Sequence, residues 1–342
     1  MNWINQSIKK TCYSSLEKAQ EQQNQLTKPA GSLGYLENIV MRLASMQACQ
    51  KPSLDKAHIS IFAADHGIAN EGVSAFPQAV TNTMVANFAS GGAAISVLAK
   101  AHNATLEIIN VGVVDCVSDG ILHQPIADGT ANFSQQAAMT VNQLEQALEI
   151  GRQAIDRLTN TDVFIGGEMG IANTTSASAL ACAILKSPIE QLVGAGTGAN
   201  QQGIIKKQRL IEQALELHKE DLNSPLKILQ YLGGFEIAAL VGAYIRCGQL
   251  GIPVIIDGFI STVAALIAVR IHSSLNDWFF YGHQSEELGH KNVLKALDAR
   301  PILNLAMRLG EGSGAAMALP ILRASCELHN NMASFNEAGI SV

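Results

Sequence analysis

The segment Arg308-Leu-Gly-Glu-Gly-Ser-Gly-Ala-Ala315 sets one carboxylate, Glu311, between glycines where an apolar helical pattern begins. Small neighbours let a flat ligand approach the backbone. A carboxylate with little water around it moves toward the titration range of a general base. A solvated Glu in an ordinary Gly-Glu-Gly turn accounts for the same residues. A second carboxylate, Glu168, lies in Gly166-Gly-Glu-Met-Gly-Ile-Ala-Asn-Thr-Thr175, which reads as a strand end, a glycine loop and a helix start. Backbone N–H groups at such a start, the helix dipole and the side chains of Asn173, Thr174 and Thr175 suit an anion such as phosphate. The plainer reading is a helix N-cap made by Asn173 or Thr174, and the two are compatible. The loop fits neither the Walker A pattern nor a clean G-x-G-x-x-G fingerprint.

Other loops repeat the theme. Gly194-Ala-Gly-Thr-Gly198 is a second glycine loop, and Asp65-His66-Gly67 with Gly72-Val-Ser-Ala-Phe-Pro-Gln78 is a third of ligand-binding type. Asp65 and His66 have the chemistry of an acid–base pair, but neighbours on an extended chain point in opposite directions. That leaves His66 a hydrogen-bonded strand-end residue as readily as a catalytic one. Asp257-Gly258 and His283-Gln-Ser285 complete the set. An Asp after a strand commonly holds a ribose hydroxyl or a helix N-terminus. Together these loops suggest a site for a phosphorylated, nucleoside-like ligand beside an apolar slot, with Glu168 and Glu311 near the reacting centre.

Such loops need elements to hold them. Short apolar runs at His58 to Ala64, Thr105 to Val111, Asp162 to Ile165, Pro253 to Ile256 and Trp278 to Tyr281 each end in glycine and a polar residue. Leu192 and Val193 before Gly194 read as a possible sixth. The runs are too short for helices and lack alternation, as buried parallel strands do. Helical patterns such as Gly91 to Lys100, Ser176 to Leu185, Phe235 to Cys247 and Ser261 to His272 separate them. This alternation predicts a doubly wound α/β fold, with ligands at the carboxyl ends of the strands. The stretch from Pro301 reads as helical and outside the sheet. Gln135 to Thr161 and Lys206 to Asp221 read as solvated helices, the second with room for a functional lysine.

The bulk properties narrow the class. Of 342 residues, 48% are hydrophobic and 15% charged, enough for a large core. A net charge of -6 with no basic run argues against nucleic acid. No signal-peptide layout opens the chain, and the nearest approach to a membrane span, Leu240 to Ile256, is broken by Arg246, Gln249 and Pro253. The six cysteines form no C-x-x-C pair, as expected of reduced thiols in the cytoplasm, and the nine histidines show no zinc spacing.

At this density of motifs the chain resembles the nicotinate-nucleotide:dimethylbenzimidazole phosphoribosyltransferase family. The resemblance runs nearly end to end, through Leu26-Thr-Lys-Pro-Ala-Gly-Ser-Leu-Gly34, Ala64-Asp-His-Gly67, the loops at 72–78, 166–175 and 194–198, Gly233-Gly-Phe-Glu-Ile-Ala-Ala239, Ile256-Asp-Gly-Phe259, Ser285-Glu-Glu-Leu-Gly-His290 and Arg308-Leu-Gly-Glu-Gly312. It implies a Rossmann-like, mostly parallel sheet with flanking helices in residues 57–300. It also implies a small helical domain from residues 1–56 and 301–342. The partners implied are nicotinate mononucleotide, 5,6-dimethylbenzimidazole and a second copy of the chain, with no cofactor and no metal. On this resemblance Glu311 is the general base and Glu168 a second acidic residue of the catalytic site. Phosphate and ribose contacts fall on Gly167, Met169, Gly170, Asn173, Thr174, Thr175, Lys207, Asp257 and Ser285. The base slot falls on Ser74, Asn82, Gly196, Gly198, Arg308 and Leu309. Asn82 departs from the glutamine expected of the family, and the shorter amide alters the fit to the base. The same residues leave open another acceptor base, or a non-catalytic nucleotide or α-riboside sensor. A dinucleotide-dependent dehydrogenase lacks its fingerprint after the first strand.

Overall fold

A computed structural model describes residues 2–340 except Thr197 and Ala199. Met1, Ser341 and Val342, in the expected helical unit, and Thr197, in the second glycine loop, therefore lie outside the described residues. Among these, seven parallel strands form one sheet: β1 (Ala57–Ala64), β2 (Thr105–Gly112), β3 (Leu122–His123), β4 (Val163–Met169), β5 (Val254–Ile256), β6 (Phe279–His283) and β7 (Pro301–Leu303). Their order is β3-β2-β1-β4-β5-β6-β7. The chain winds outward from β1 to β3, then returns to lay β4 on the other side of β1. The β1–β4 boundary is thus the topological switch point of the sheet. Register there is regular, with Phe62 opposite Glu168 and Ala63 opposite Met169.

The central strands are buried on both faces, which is why they read as mostly apolar runs: Ile59, Ile61, Phe62, Phe164 and Ile165 have no exposed surface. Gly166 and Gly167 show how tightly the layers close. A Cβ on Gly166 would meet Leu240 and Tyr244 of the helix Phe235–Leu250 at 2.6 and 3.0 Å. A Cβ on Gly167 would meet Ile61 at 2.3 Å and the Glu311 carbonyl oxygen at 2.7 Å. Adjacent strand residues face opposite sides, so the two glycines admit a helix on one face and the Glu311 loop on the other.

Several expectations need correction. Gly166, Gly167 and Glu168 belong to β4 itself rather than to a loop after it, because the strand continues through Met169. Leu192 and Val193 form no strand; they follow a short 3-10 turn at Ile189–Gln191. Pro301–Leu303 does not leave the sheet but pairs with β6, Tyr281 opposite Pro301 and His283 opposite Leu303. An edge position tolerates the missing Pro301 N–H. The polar stretch at 135–161 contains the helix Val141–Asp156, begun by a Thr140–Gln143 capping box. It is not solvated all round. Leu144, Ala147, Leu148, Gly151, Ala154 and Ile155 form a buried stripe, and Gly151 lies against the backbone of Ala239 on Phe235–Leu250. In the second stretch, the helix Gln201–Leu217 likewise buries Lys207, Ile211 and Ala214.

One stretch among the described residues, 80–101, has the length and hydropathy of a membrane span. It is two helices, Val80–Ser90 and Ala94–Ala101, parted at Gly91, whose φ is 84°. Both helices lie against β2.

Candidate active site

A cavity of about 450 Å³ opens at the carboxyl ends of β4, β5 and β6. Its wall includes Glu168, Met169, Gly170, Asn173, Thr174, Gly196, Asp257, Ser285, Arg308, Leu309 and Glu311, all expected from the sequence. Glu168 is carried there by β4, Asp257 follows β5, Ser285 follows β6, and Arg308 to Glu311 form the loop after β7. Sheet order therefore gathers residues more than a hundred positions apart.

Glu311 stands in the left-handed region at φ 64°, between Gly310 at 87° and Gly312 at 79°. A non-glycine residue there costs roughly 1 kcal/mol or more and needs support from around it. Asp257 supplies that support. Its Oδ2 accepts from the Gly312 N–H at 3.1 Å, and its Oδ1 accepts from the Ala315 N–H at 2.9 Å. Of the two roles open to an Asp after a strand, the structure shows the helix N-terminus, that of Ser313–Asn331. The Ser313 hydroxyl closes the turn on the Gly310 carbonyl at 2.6 Å.

The two glutamates are linked. The backbone N–H of Glu311 donates to Glu168 Oε1 at 3.4 Å, and Asn173 donates its amide to Glu168 Oε2. Asn173 thus binds a carboxylate rather than capping its helix. The cap position falls to Ala172, at φ 78° with no side-chain bond. Burial pushes Glu168 well above the usual carboxylate range, helped by the negative Asp257 and Glu236; the Asn173 and Glu311 donors oppose this. Burial also raises Glu311, against a backbone N–H at Ile95 and with help from Asp257. Glu311 is 6% exposed, and its Oε2 is buried with no partner among the described residues. A desolvated carboxylate on a residue of the cavity wall has the chemistry of a proton acceptor once a ligand reaches it.

Supporting histidines are neutral or paired. His290 is driven down to about 3 by burial and by His283. Its Nδ1 therefore accepts from the Ser285 N–H at 2.8 Å, leaving Nε2 to donate to the Thr262 hydroxyl at 2.9 Å. This fixes the backbone of Ser285. His66 is a buried structural partner, 2.6 Å from Glu236, while Asp65 turns the other way to accept from the Val114 N–H.

Some expected residues stand away from the wall. Gly167 lies behind the Glu311 loop, and Thr175 is fully buried inside its helix. Lys207 is buried beneath Gly196, its ammonium 3.4 Å from the Ala195 carbonyl, and Gly198 is exposed. Asn82 lines a second cavity of about 440 Å³ with Asp65, Gln78 and Asp115, and its amide donates to the Asp115 carbonyl at 3.1 Å. Ser74 lines neither cavity, and its hydroxyl accepts from the Phe76 N–H at 3.2 Å. Sequence reasoning does not reach Phe76, Ile171, Phe259, Ile260 and Glu287 on the wall. Glu287 lies two residues from Ser285, inside the 285–290 motif, and its charge is the available signal.

A phosphoribosyltransferase family model matches residues 8–340. The nicotinate-nucleotide–dimethylbenzimidazole phosphoribosyltransferase of Pseudomonas putida is 50% identical over 332 residues, 96% of this chain and 95% of that protein. The protein of the same name from Pseudomonas fluorescens is 52% identical over 343 residues, covering 99% and 97%. The crystal structure of CobT from Thermus thermophilus superposes with a TM-score of 0.92 at 41% identity, covering 96% of this chain and 99% of that one. The chain therefore belongs to the nicotinate-nucleotide–dimethylbenzimidazole phosphoribosyltransferase family.

Proposed function

We propose that the chain moves the 5-phosphoribosyl group of nicotinate mononucleotide onto 5,6-dimethylbenzimidazole, with inversion at the anomeric carbon, giving α-ribazole 5'-phosphate and nicotinate. The observation that carries this reading is the linked pair of desolvated carboxylates, Glu168 and Glu311, on one cavity wall. The donor's pyridine nitrogen is already cationic, so nicotinate departs without a general acid. Positive charge then grows on the ribose C1. A carboxylate at Glu168 stabilises it, and the approaching cation restores the ionisation that burial disfavours. The acceptor attacks through its unprotonated nitrogen, and its other nitrogen gives up a proton to Oε2 of Glu311. Both rings must sit on opposite faces of one carbon, so much of the protein's contribution is positioning. Ser285 and residues 170–174 at the end of β4 hold the phosphate, with Lys207 acting on it from beneath Gly196; Arg308 and Leu309 border the base.

Incubation with both substrates, read by mass spectrometry, tests this. Nicotinate release with phosphoribosyl-benzimidazole formation, lost in Glu311→Gln, supports the reaction and its base. Turnover only with another base would change the acceptor. Tight nucleotide binding without turnover would point to a sensor instead. We further propose a cytoplasmic homodimer, checked by sedimentation equilibrium, where a monomer mass at micromolar concentration would reject it. The proposed small helical unit, residues 1–56 and 301–342 less the sheet strand Pro301–Leu303, draws support from the packing of Tyr13–Gln25 on Tyr35–Gln47 and of the latter on Ser313–Asn331.

A further inference from the structure

Three charged side chains converge on the glycine loop that begins at Gly194. A Cβ on Gly196 would lie 2.8 Å from the Lys207 ammonium, and a Cβ on Gly194 would lie 3.1 Å from Oε2 of Glu287. Arg308 donates to the Gly196 carbonyl at 3.2 Å. Glu287, Arg308 and Ser285 share the cavity wall, and Arg308 is the one cation among its described residues. The other acids on that wall, Glu168, Asp257 and Glu311, come from β4 and from the loops after β5 and β7. Burial pushes the Glu287 carboxyl above its ordinary range, while Lys207, the Gly196 backbone and Arg308 pull it back. Burial lowers Lys207 in turn, and Glu287 opposes that. An ammonium, a guanidinium, a backbone N–H from a glycine loop and a nearby serine hydroxyl are the groups that hold a phosphate. Here Lys207, Arg308 and the Gly196 backbone act on a carboxylate, and the Ser285 hydroxyl accepts from the Glu287 N–H at 3.3 Å.

We propose that Glu287 is a resident anion of the phosphate subsite, which must swing out or take up a proton when a phosphorylated substrate enters, and so sets how tightly that phosphate is held. This rests on the reading that the donor's phosphate lies between Lys207 and Ser285. The carboxylate compensates a buried ammonium that would otherwise stand alone. Its repulsion of a dianion is subtracted from the attraction of Lys207 and Arg308. It acts on the charge of the phosphate and is indifferent to the ribose and the rings.

The test is equilibrium binding, by calorimetry, of nicotinate mononucleotide and of its dephosphorylated riboside to wild type, Glu287→Gln and Lys207→Ala. Glu287→Gln is expected to lower Kd for the mononucleotide by roughly three- to tenfold, the effect of removing one partly screened like charge. Its Kd for the riboside should not change. Glu287→Ala, which removes the side-chain amide as well, should shift the mononucleotide in the same direction. Lys207→Ala should weaken the mononucleotide alone. If Lys207→Ala weakens it but both Glu287 variants leave Kd unchanged or higher, the resident-anion role is overturned and the phosphate placement stands. If Lys207→Ala leaves Kd unchanged, the phosphate does not lie here and both readings fall.

Discussion

Glu311 occupies a backbone conformation that glycine or asparagine adopts more easily, and its Oε2 is buried without a partner among the described residues. Both features cost stability, and both make sense for a base aimed at a ligand. Glu311→Gln keeps the shape and removes the proton acceptor. We expect kcat to fall by roughly 10²- to 10⁴-fold, with KM within a few-fold of wild type. Comparable kcat in the two proteins would remove the general-base role. A base must be ionised to act, and burial has raised this one. Activity should therefore decline on the acid side at a pH above the ordinary carboxylate range, and that limb should be absent from the residual rate of Glu311→Gln. Glu168 carries a different prediction. Its folded pKa lies above its unfolded value, so the group contributes stability below the unfolded pKa and loses it as pH rises through the folded one. At pH 8 the buried, ionisable acid is a cost, and Glu168→Gln should melt higher by about 2–4 °C. At pH 4, where both side chains are neutral, the gain should vanish. A lower Tm at pH 8 would show that the carboxylate is worth more to the fold ionised than buried neutral.

Among the elements, the buried strands are legible because both faces are covered, so only Ser60 interrupts the apolar run from Ile59 to Ala64, and nothing polar interrupts Phe164 and Ile165. The edge strands are not. Leu122–His123 is two residues long, and Pro301–Leu303, though apolar, is three residues long, half-buried and opened by a proline, so their pairing partners define them. The site follows the same division. Glu168, Asp257, Ser285 and Glu311 stand at strand ends or in glycine loops, where a sequence pattern can place them. The distance of Ser74 and Asn82 from the main cavity depends on how the loop at 72–78 and the helix Val80–Ser90 lie over β1, which no local pattern encodes. The helix Val141–Asp156 reads as solvated because its polar residues outnumber its apolar ones; the decisive feature is the spacing of the apolar ones. Gly151 marks where this helix crosses Phe235–Leu250. A Cβ there would sit 1.9 Å from the Ala239 carbonyl oxygen and 2.8 Å from the Ala243 nitrogen, both backbone atoms that cannot rotate away. Gly151→Ala should therefore destabilise by roughly 1–3 kcal/mol or more, although alanine is the better helix former. Urea unfolding decides between these opposed terms. A gain in stability would mean that the two helices separate more easily than their packing indicates.

The whole molecule turns on the β1–β4 boundary, and a buried ion pair sits beneath it. His66, just after β1, and Glu236, in the first turn of Phe235–Leu250, are 1% and 0% exposed. The glycines around them leave no slack: a Cβ on Gly234 would meet His66 at 2.3 Å, and one on Gly170 would meet it at 3.2 Å. The pair thus ties the central strand, the helix behind the sheet and the end of β4 that presents Glu168. Burial works against a charged His66, but Glu236, with help from Asp65, outweighs it and the His66 pKa is raised. A raised histidine stabilises the fold fully below its unfolded value, near 6.5, and that contribution fades as pH rises through the folded value. Glu236→Gln removes the partner. Breaking one side of a buried pair costs about 3–5 kcal/mol, and that cost should appear in full only while His66 is protonated. The stability difference between wild type and Glu236→Gln, from urea unfolding at several pH values, should be largest near pH 6 and shrink steadily toward pH 9. A difference that stays constant across that range would mean that the two side chains share an ordinary neutral hydrogen bond, and that the switch point is held by packing alone.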